Sequence, residues 1–271
     1  MTLRLLLLLF LLNAGLAVQA EDRPLKLGIF PYLSAAQLIE LHKPLADYLS
    51  RRLDRPVSIA SASTFPDFLQ RSRNGQYDLL LTAPHMGALH ILRDGFQPLA
   101  VAENRLYAVI ASNRNSAWQR LDQVRDAHLL LPPPKAIVSL LALDRLKAAG
   151  IDLDSLAIRH TRSHDNALQS VLKGRSDIVA FSSATWQRYL DQGGDELQVL
   201  ATSASMPGNF LVANPELDPA LVQQLRKALW QFGQSAEGER YFLRTRQQGF
   251  RPVLPNDLQR LRPYLKRIFG Y

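Results

Sequence analysis

The sequence of 271 residues contains no cysteine. Disulfides, thiolate nucleophiles, cysteine-ligated zinc and a lipid anchor on a cysteine are therefore excluded, and the chain must hold together by packing. Methionine and histidine are scarce, with 3 and 6 residues, which leaves little material for a metal centre with several ligands. No Gly-x-Ser-x-Gly elbow or glycine-rich phosphate loop is present. These absences argue against most classes of enzyme and against a metal or other cofactor.

The charge balance is basic, with 32 Lys and Arg against 24 Asp and Glu, a formal net charge of +8. Basic surfaces can bind the phosphate backbone of nucleic acids. However, no Lys/Arg run is longer than two residues, and aromatic residues do not interleave with the basic ones. The composition therefore indicates a solvated cationic surface and no nucleic-acid partner.

The N-terminus has the pattern of a secretory signal peptide over residues 1–20. Arg4 precedes an apolar run from Leu5 to Leu12, and small residues follow as far as Ala20. The alternative is an N-terminal membrane anchor, but the run is shorter than the ~20 apolar residues that span a bilayer. We expect cleavage near Glu21 and a periplasmic protein without a lipid anchor.

Strand-like and helix-like segments alternate along the rest of the chain. Leu25–Phe30 and Tyr77–Leu81 are short apolar runs typical of buried strands. Between them, apolar residues from Leu38 to Leu49 recur with a helical period, and Pro44 is expected to begin a new helix inside that stretch. The alternation continues to a helical tail and predicts an α/β fold with largely parallel sheets.

Two segments, 59–81 and 158–180, align without a gap at an offset of about 99 residues. Thr64 and Ser163 occupy the same helix-start position in the two segments, which predicts two lobes that each present a helix N-terminus at a strand end. A cleft between such lobes would favour anions. Asp78 and Asp177 are expected to accept main-chain N–H bonds rather than act as acid and base. The identical pairs are Ile59/Ile158, Leu69/Leu168, Gln70/Gln169, Gly75/Gly174 and Asp78/Asp177.

The order of several segments resembles the phosphate/phosphite/phosphonate substrate-binding proteins of ABC importers. Residues 28–34, 44–49 and 75–85 resemble the start of that family, and residues 163–168 resemble its serine–histidine segment. The resemblance implies a two-lobed fold of the type 2 periplasmic-binding-protein class, in which each lobe is a mostly parallel sheet flanked by helices. The chain would cross between the lobes twice and close on its ligand. Lobe 1 would comprise residues 25–110 and 204–271, and lobe 2 residues 111–203.

The resemblance also implies a ligand site between the lobes, with departures from the family pattern. Where phosphonate binders have a Ser-Thr-Ser cluster, this chain offers only the Ser139 hydroxyl and the Lys135 charge. One family tyrosine is replaced by Phe65, and another falls beside Tyr107, whereas the family histidine is retained as His164. We expect side chains at strand ends and helix starts to bind the ligand: Tyr32, Thr64, Phe65, Thr82, His85, Tyr107, Lys135, Ser139, Ser163, His164 and Ser182.

These observations favour a monomeric, non-enzymatic solute-binding protein. It would capture a small anion, either a phosphonate- or phosphate-like oxyanion or another small anionic solute, and deliver it to the membrane permease of an ABC importer. One alternative is a sensing module that signals to a membrane receptor or histidine kinase. A second alternative is an exported hydrolase.

Overall fold

The computed structural model describes residues 23–271, and the expected signal peptide at 1–20 lies outside the described residues. The elements form two sheets with helices on both faces of each. The strands are β1 (Leu25–Ile29), β2 (Val57–Ala60), β3 (Leu79–Thr82), β4 (Gln97–Ala102), β5 (Ala108–Asn113), β6 (His128–Leu131), β7 (Ala157–His160), β8 (Ile178–Ser182), β9 (Leu197–Thr202), β10 (Phe210–Ala213) and β11 (Phe250–Arg251). The helices are α1 (Ala35–Leu53), α2 (Phe65–Arg73), α3 (Pro84–Leu92), α4 (Ile137–Ala148), α5 (His164–Leu172), α6 (Ser183–Asp191), α7 (Pro219–Gly233), α8 (Ala236–Thr245) and α9 (Pro255–Phe269).

The first sheet has the strand order β11-β4-β10-β3-β1-β2, and the second has the order β7-β6-β8-β5-β9. The predicted parallel pairing holds for β3-β1-β2 and β8-β6-β7. The other pairs are antiparallel, because β10 and β11 run against the other four strands of the first sheet and β5 runs against the other four strands of the second. Four strands of each sheet therefore share one direction, as expected for mostly parallel sheets. The reversed strands β5 and β10 are those that enter a sheet directly from the other half. We call each sheet with its helices the first or second half.

The chain passes from the first half to the second at 103–107 and returns at 203–209. The two crossing segments bond to each other, since the amide of Leu106 donates to the carbonyl of Met206 at 3.1 Å. The predicted boundary at 110 falls inside β5, which pairs along its length with β8 and β9. The crossing itself carries the polar residues Glu103, Asn104 and Arg105, which separate the apolar residues of β4 from those of β5.

The two aligned segments occupy equivalent places in the two sheets. Each forms the second strand, a capped helix and the third strand of a parallel trio. Asp78 accepts the amide of Lys26 in β1 at 2.7 Å, and Asp177 accepts the amide of His128 in β6 at 2.8 Å. The expectation that these carboxylates bind main-chain N–H groups is confirmed, and each one joins two neighbouring inner strands of its sheet.

Helix α1 is continuous through Pro44, contrary to the expected break. Its start is capped by Ser34, whose hydroxyl accepts the amide of Gln37. Proline removes the hydrogen bond to the carbonyl of Glu40, but that residue is exposed, so water can satisfy its carbonyl. Burial of Leu38 and Leu45 on the first sheet then holds the helix together across the missing bond.

The two halves share one apolar cluster as well as ion pairs. The cluster includes Leu80 of β3, Leu261 of α9 and Ile178 of β8. Helix α9 packs on α3, and its Arg267 reaches Asp144 of α4 at 2.7 Å. These contacts position the loops of the two halves against each other. Within residues 23–271, no helix combines the length and apolar character needed to cross a bilayer.

Candidate functional site

A cavity of about 1250 Å³ lies between loops of the two halves. The first half contributes the loop after β2, one face of α2 and the start of α3. The second half contributes the loops after β6 and β7, and the end of α9 closes one side. Thus the carboxyl ends of four parallel strands lead into one cavity, as expected for ligand sites of α/β sheets. Of the predicted site residues, it brings together Thr64, Phe65, His85 and Lys135.

The start of α2 supplies a hydroxyl and an apolar wall. Thr64 caps the helix, because its Oγ1 accepts the amide of Asp67 at 3.2 Å. Phe65 is half-buried and stands edge-on to Phe30, with ring centroids 6.0 Å apart. Pro66 lacks an N–H, and Asp67 places a negative charge in the first turn. The N-terminus of α2 is therefore a weaker anion site than its position suggested.

Among the described residues, four cationic side chains and no carboxylate line the cavity. Two of them, Arg73 and Arg93, approach Asp94, with N–O distances of 3.8 and 2.6 Å. Neither Lys135 nor Arg162 forms an ion pair with a residue that the structure describes. The positive charge at the end formed by the second half is therefore uncompensated, and that end favours an anion.

His85 lies where the two halves meet. Its side chain is only 2% exposed, stacks on Phe269 with ring centroids 5.9 Å apart, and faces the main chain of Lys135. Burial lowers the pKa of His85 to about 4, so the ring is neutral at pH 7. Its Nδ1 is buried and has no hydrogen-bond partner in the part of the chain that the structure describes. Because buried polar atoms usually have partners, this atom is a candidate ligand contact.

His164 and Ser163 lie next to the cavity but do not line it. Ser163 caps α5, since its Oγ accepts the amide of Asn166 at 3.1 Å. The Nδ1 of His164 is buried and has no partner, and burial together with the charge of Arg188 lowers the pKa of His164 to about 4. A neutral imidazole at a helix start can donate one hydrogen bond. Its role in ligand binding stays a prediction.

Tyr32 lies near the positive charge of Arg188 in the second half, and a hydrogen bond connects it to the first half. Its hydroxyl lies 2.7 Å from Nε2 of His42, and Nδ1 of His42 lies 2.9 Å from the hydroxyl of Tyr241 in α8. Burial raises the pKa of Tyr32 and lowers that of His42 to about 4. The three side chains thus form a neutral hydrogen-bonded chain that orients Tyr32 at the edge of the cleft.

Two predicted hydroxyls are used inside the protein. Ser139 is fully buried, and its Oγ lies 3.1 Å from the carbonyl oxygens of both Pro132 and Pro133. This corrects the expectation for Ser139, because its only hydrogen is already donated to the main chain. Ser182 is also buried, and it caps α6 by accepting the amide of Thr185.

The last two candidates lie away from the cavity. Thr82 is fully buried at the end of β3, and its Oγ1 has no partner. Tyr107 lines a separate cavity of about 870 Å³ beside the crossing segments. Side chains alternate across a strand, and Tyr107 falls on the face opposite to Leu106, which packs in the shared apolar cluster. Tyr107 is the residue next to the position of the family tyrosine, but its ring lies in this separate cavity and not in the cavity between the halves.

A model of one protein family, described as "ABC transporter, phosphonate, periplasmic substrate-binding protein", matches residues 27–258. The chain belongs to this family. The resemblance seen in the sequence is thereby confirmed, and the family is one of substrate-binding transport proteins.

Solved structures of this class share the fold. A binding protein component of an ABC phosphonate transporter, PA3383 from Pseudomonas aeruginosa, is 17% identical, with a TM-score of 0.78 over 90% of this chain and 86% of that one. PhnD1 from Prochlorococcus marinus, in complex with methylphosphonate, is 14% identical, with a TM-score of 0.79 over 91% and 98%. XAC2383 from Xanthomonas citri, bound to chloride, is 23% identical, with a TM-score of 0.75 over 91% and 98%. The expected two-lobed fold is confirmed.

Most residues that line the cavity of this phosphonate-family protein were not predicted from the sequence, among them Arg162, Leu69 and Phe269. Arg162 directly precedes the capping Ser163, and its position after a parallel strand was a usable signal. Leu69 lies four residues after Phe65, which places both on one face of α2. Phe269 had no local signal, because only the packing of α9 brings it to the cavity. Among residues 23–271, no group of three or more histidines and carboxylates could hold a metal ion.

Proposed function

We propose that this chain is exported to the periplasm and that residues 1–20 are removed as its signal peptide. There it captures a small anion between its halves and delivers the anion to the permease of an ABC importer. The observation that carries the proposal is the cavity between the halves, in which Lys135 and Arg162 pair with no carboxylate of residues 23–271. Family membership supports delivery to an importer rather than to a sensor.

The two halves would hold the anion with different groups. Lys135 and Arg162 of the second half supply charge. Thr64 and His85 of the first half supply neutral donors, since the Thr64 hydrogen remains free while its oxygen accepts an amide. An anion that contacts the groups of both halves makes all of its hydrogen bonds and charge contacts only when the halves are close together. Binding would therefore stabilise the closed arrangement. We propose no catalytic step and no cofactor, and we expect a monomer.

Titration calorimetry with phosphate, phosphite, methylphosphonate and acetate tests the proposal. We expect at least one of these anions to bind, and Lys135→Ala and Arg162→Ala each to weaken binding about tenfold, the effect of losing one charge-assisted hydrogen bond. Lys147→Ala is the matched control, because Lys147 is exposed on α4 and does not line the cavity. If no anion binds, or if Lys147→Ala weakens binding as much as Lys135→Ala, the proposal is wrong.

A further inference from the structure

The cavity is long rather than compact. Phe65, Leu69 and Arg73 follow at intervals of four residues and all line it, so it runs along the full length of one face of α2. From Phe65 to Arg73 the helix rises about 12 Å, at ~1.5 Å per residue. Its volume of about 1250 Å³ exceeds the range of ~300–1000 Å³ that is typical of small-molecule sites. An oxyanion with a single methyl substituent would fill only one end.

The two ends of the cavity differ in charge. Lys135 and Arg162, without ion-pair partners among the described residues, mark one end. At the other end, Arg73 and Arg93 share the carboxylate of Asp94, which removes much of their positive charge. A ligand with one anionic group is therefore drawn to the first end.

The cavity wall also has an apolar stretch. It is formed by Leu69 of α2, Met86 of α3 and Phe269 of α9, together with Pro133 and Pro134 of the second half. Met86 is buried, and Leu69 and Phe269 are half-buried, so a ligand lying here would cover apolar surface that water now reaches. Burying such surface is favourable roughly in proportion to its area.

Few free hydroxyls surround the charged end. The Oγ1 of Thr161 already donates to the carbonyl of Ser163 at 2.7 Å. Ser139 is likewise committed to main-chain carbonyls, as described above. Ten of the twenty residues that line the cavity have apolar side chains, so much of its wall can interact only with an apolar group.

From this division of charge and apolar surface we propose that the preferred ligand is an oxyanion with an extended alkyl or aromatic body. Its anionic group lies at Lys135 and Arg162, and its body lies along α2 over Leu69 and against Phe269. This inference rests on the proposed capture of an anion between the halves and specifies the class of that anion.

The test is a comparison of methylphosphonate, phenylphosphonate and hexylphosphonate by titration calorimetry. We expect the two larger probes to bind at least about tenfold more tightly than methylphosphonate, because each adds several buried carbons. Leu69→Ala should weaken hexylphosphonate binding about tenfold and change methylphosphonate binding less than about twofold. Leu243→Ala is the matched control, because Leu243 is 74% exposed on α8 and lies outside the cavity.

The outcomes separate this inference from the proposed function. If methylphosphonate binds as tightly as the larger probes, the extended body is wrong, whereas capture of an anion stands. If none of the phosphonates or smaller anions binds, both fail. Should Leu69→Ala prove unfolded by circular dichroism, Leu69→Phe narrows the same stretch. It must then weaken hexylphosphonate and leave methylphosphonate unchanged, and equal effects on both probes would overturn the inference.

Discussion

Replacing His42 by leucine should destabilise the protein and also change how its stability depends on pH. His42 is 1% exposed and lies between the hydroxyls of Tyr32 and Tyr241, at 2.7 and 2.9 Å. A neutral imidazole has one donor and one acceptor, so it satisfies both tyrosines. Leucine removes two hydrogen bonds and leaves the buried Tyr241 hydroxyl without a partner. At pH 7 we expect a loss of about 2–4 kcal/mol in the free energy of unfolding.

The pH dependence follows from the lowered pKa of His42. Burial lowers that pKa from 6.5 to about 4, so between these values the unfolded chain binds more protons than the folded protein. The free energy of unfolding therefore falls as the pH falls through this window. For one such histidine the loss between pH 7 and pH 5 is about 2 kcal/mol. His85, with a similar pKa, adds a comparable loss that remains in the His42→Leu variant.

Urea denaturation at pH 7 and pH 5 measures both effects. The drop in unfolding free energy between the two values should be about 2 kcal/mol smaller in His42→Leu than in the wild type. His128→Leu serves as the control, because the His128 side chain is 66% exposed, and it should change stability by less than about 1 kcal/mol. An equal pH-dependent drop in wild type and His42→Leu would refute the reasoning.

The other predictions concern packing and the contact between the halves. Gly28→Ala should destabilise by about 1–3 kcal/mol in thermal or urea unfolding, because an added Cβ would lie 2.5 Å from the ring of Tyr77. Its control, Gly233→Ala in α7, meets nothing within 4 Å and should stabilise by about 0.5–1 kcal/mol; a cost as large as that of Gly28→Ala would contradict the packing argument. A double-mutant cycle on Arg267 and Asp144 should give a coupling below about 1 kcal/mol, since both side chains are over a third exposed; a larger value would show that this pair controls the contact.

Local patterns in the sequence predicted most of the elements. Short apolar runs and helical periods depend only on neighbouring residues, so the strand that begins at Leu25 and the caps at Thr64 and Ser163 could be predicted directly. The helix through Pro44 was missed, because the cost of a missing hydrogen bond is offset by burial on a distant sheet. The sequence did not show which strands run against the others, β5 and β10 among them, since the direction of these two depends on the half from which the chain arrives.

The residues of the candidate site were likewise predicted only in part from the sequence. Thr64, Phe65, His85 and Lys135 follow strand ends, and the rule that parallel strands present ligand sites at those ends placed them in one cavity. That rule does not show which hydroxyl groups already donate their hydrogen to a main-chain carbonyl, and it therefore included Ser139 among the predicted site residues.

By itself, the sequence determined the alternation of elements, the family and the loops from which a ligand site could be built, because these features lie in local order along the chain. Only the tertiary structure decided which of those loops meet, that Arg162 and Phe269 join them, and that the cavity between the halves is long and charged at one end. Such properties arise from the packing of segments that are far apart in the sequence, and no local pattern encodes them.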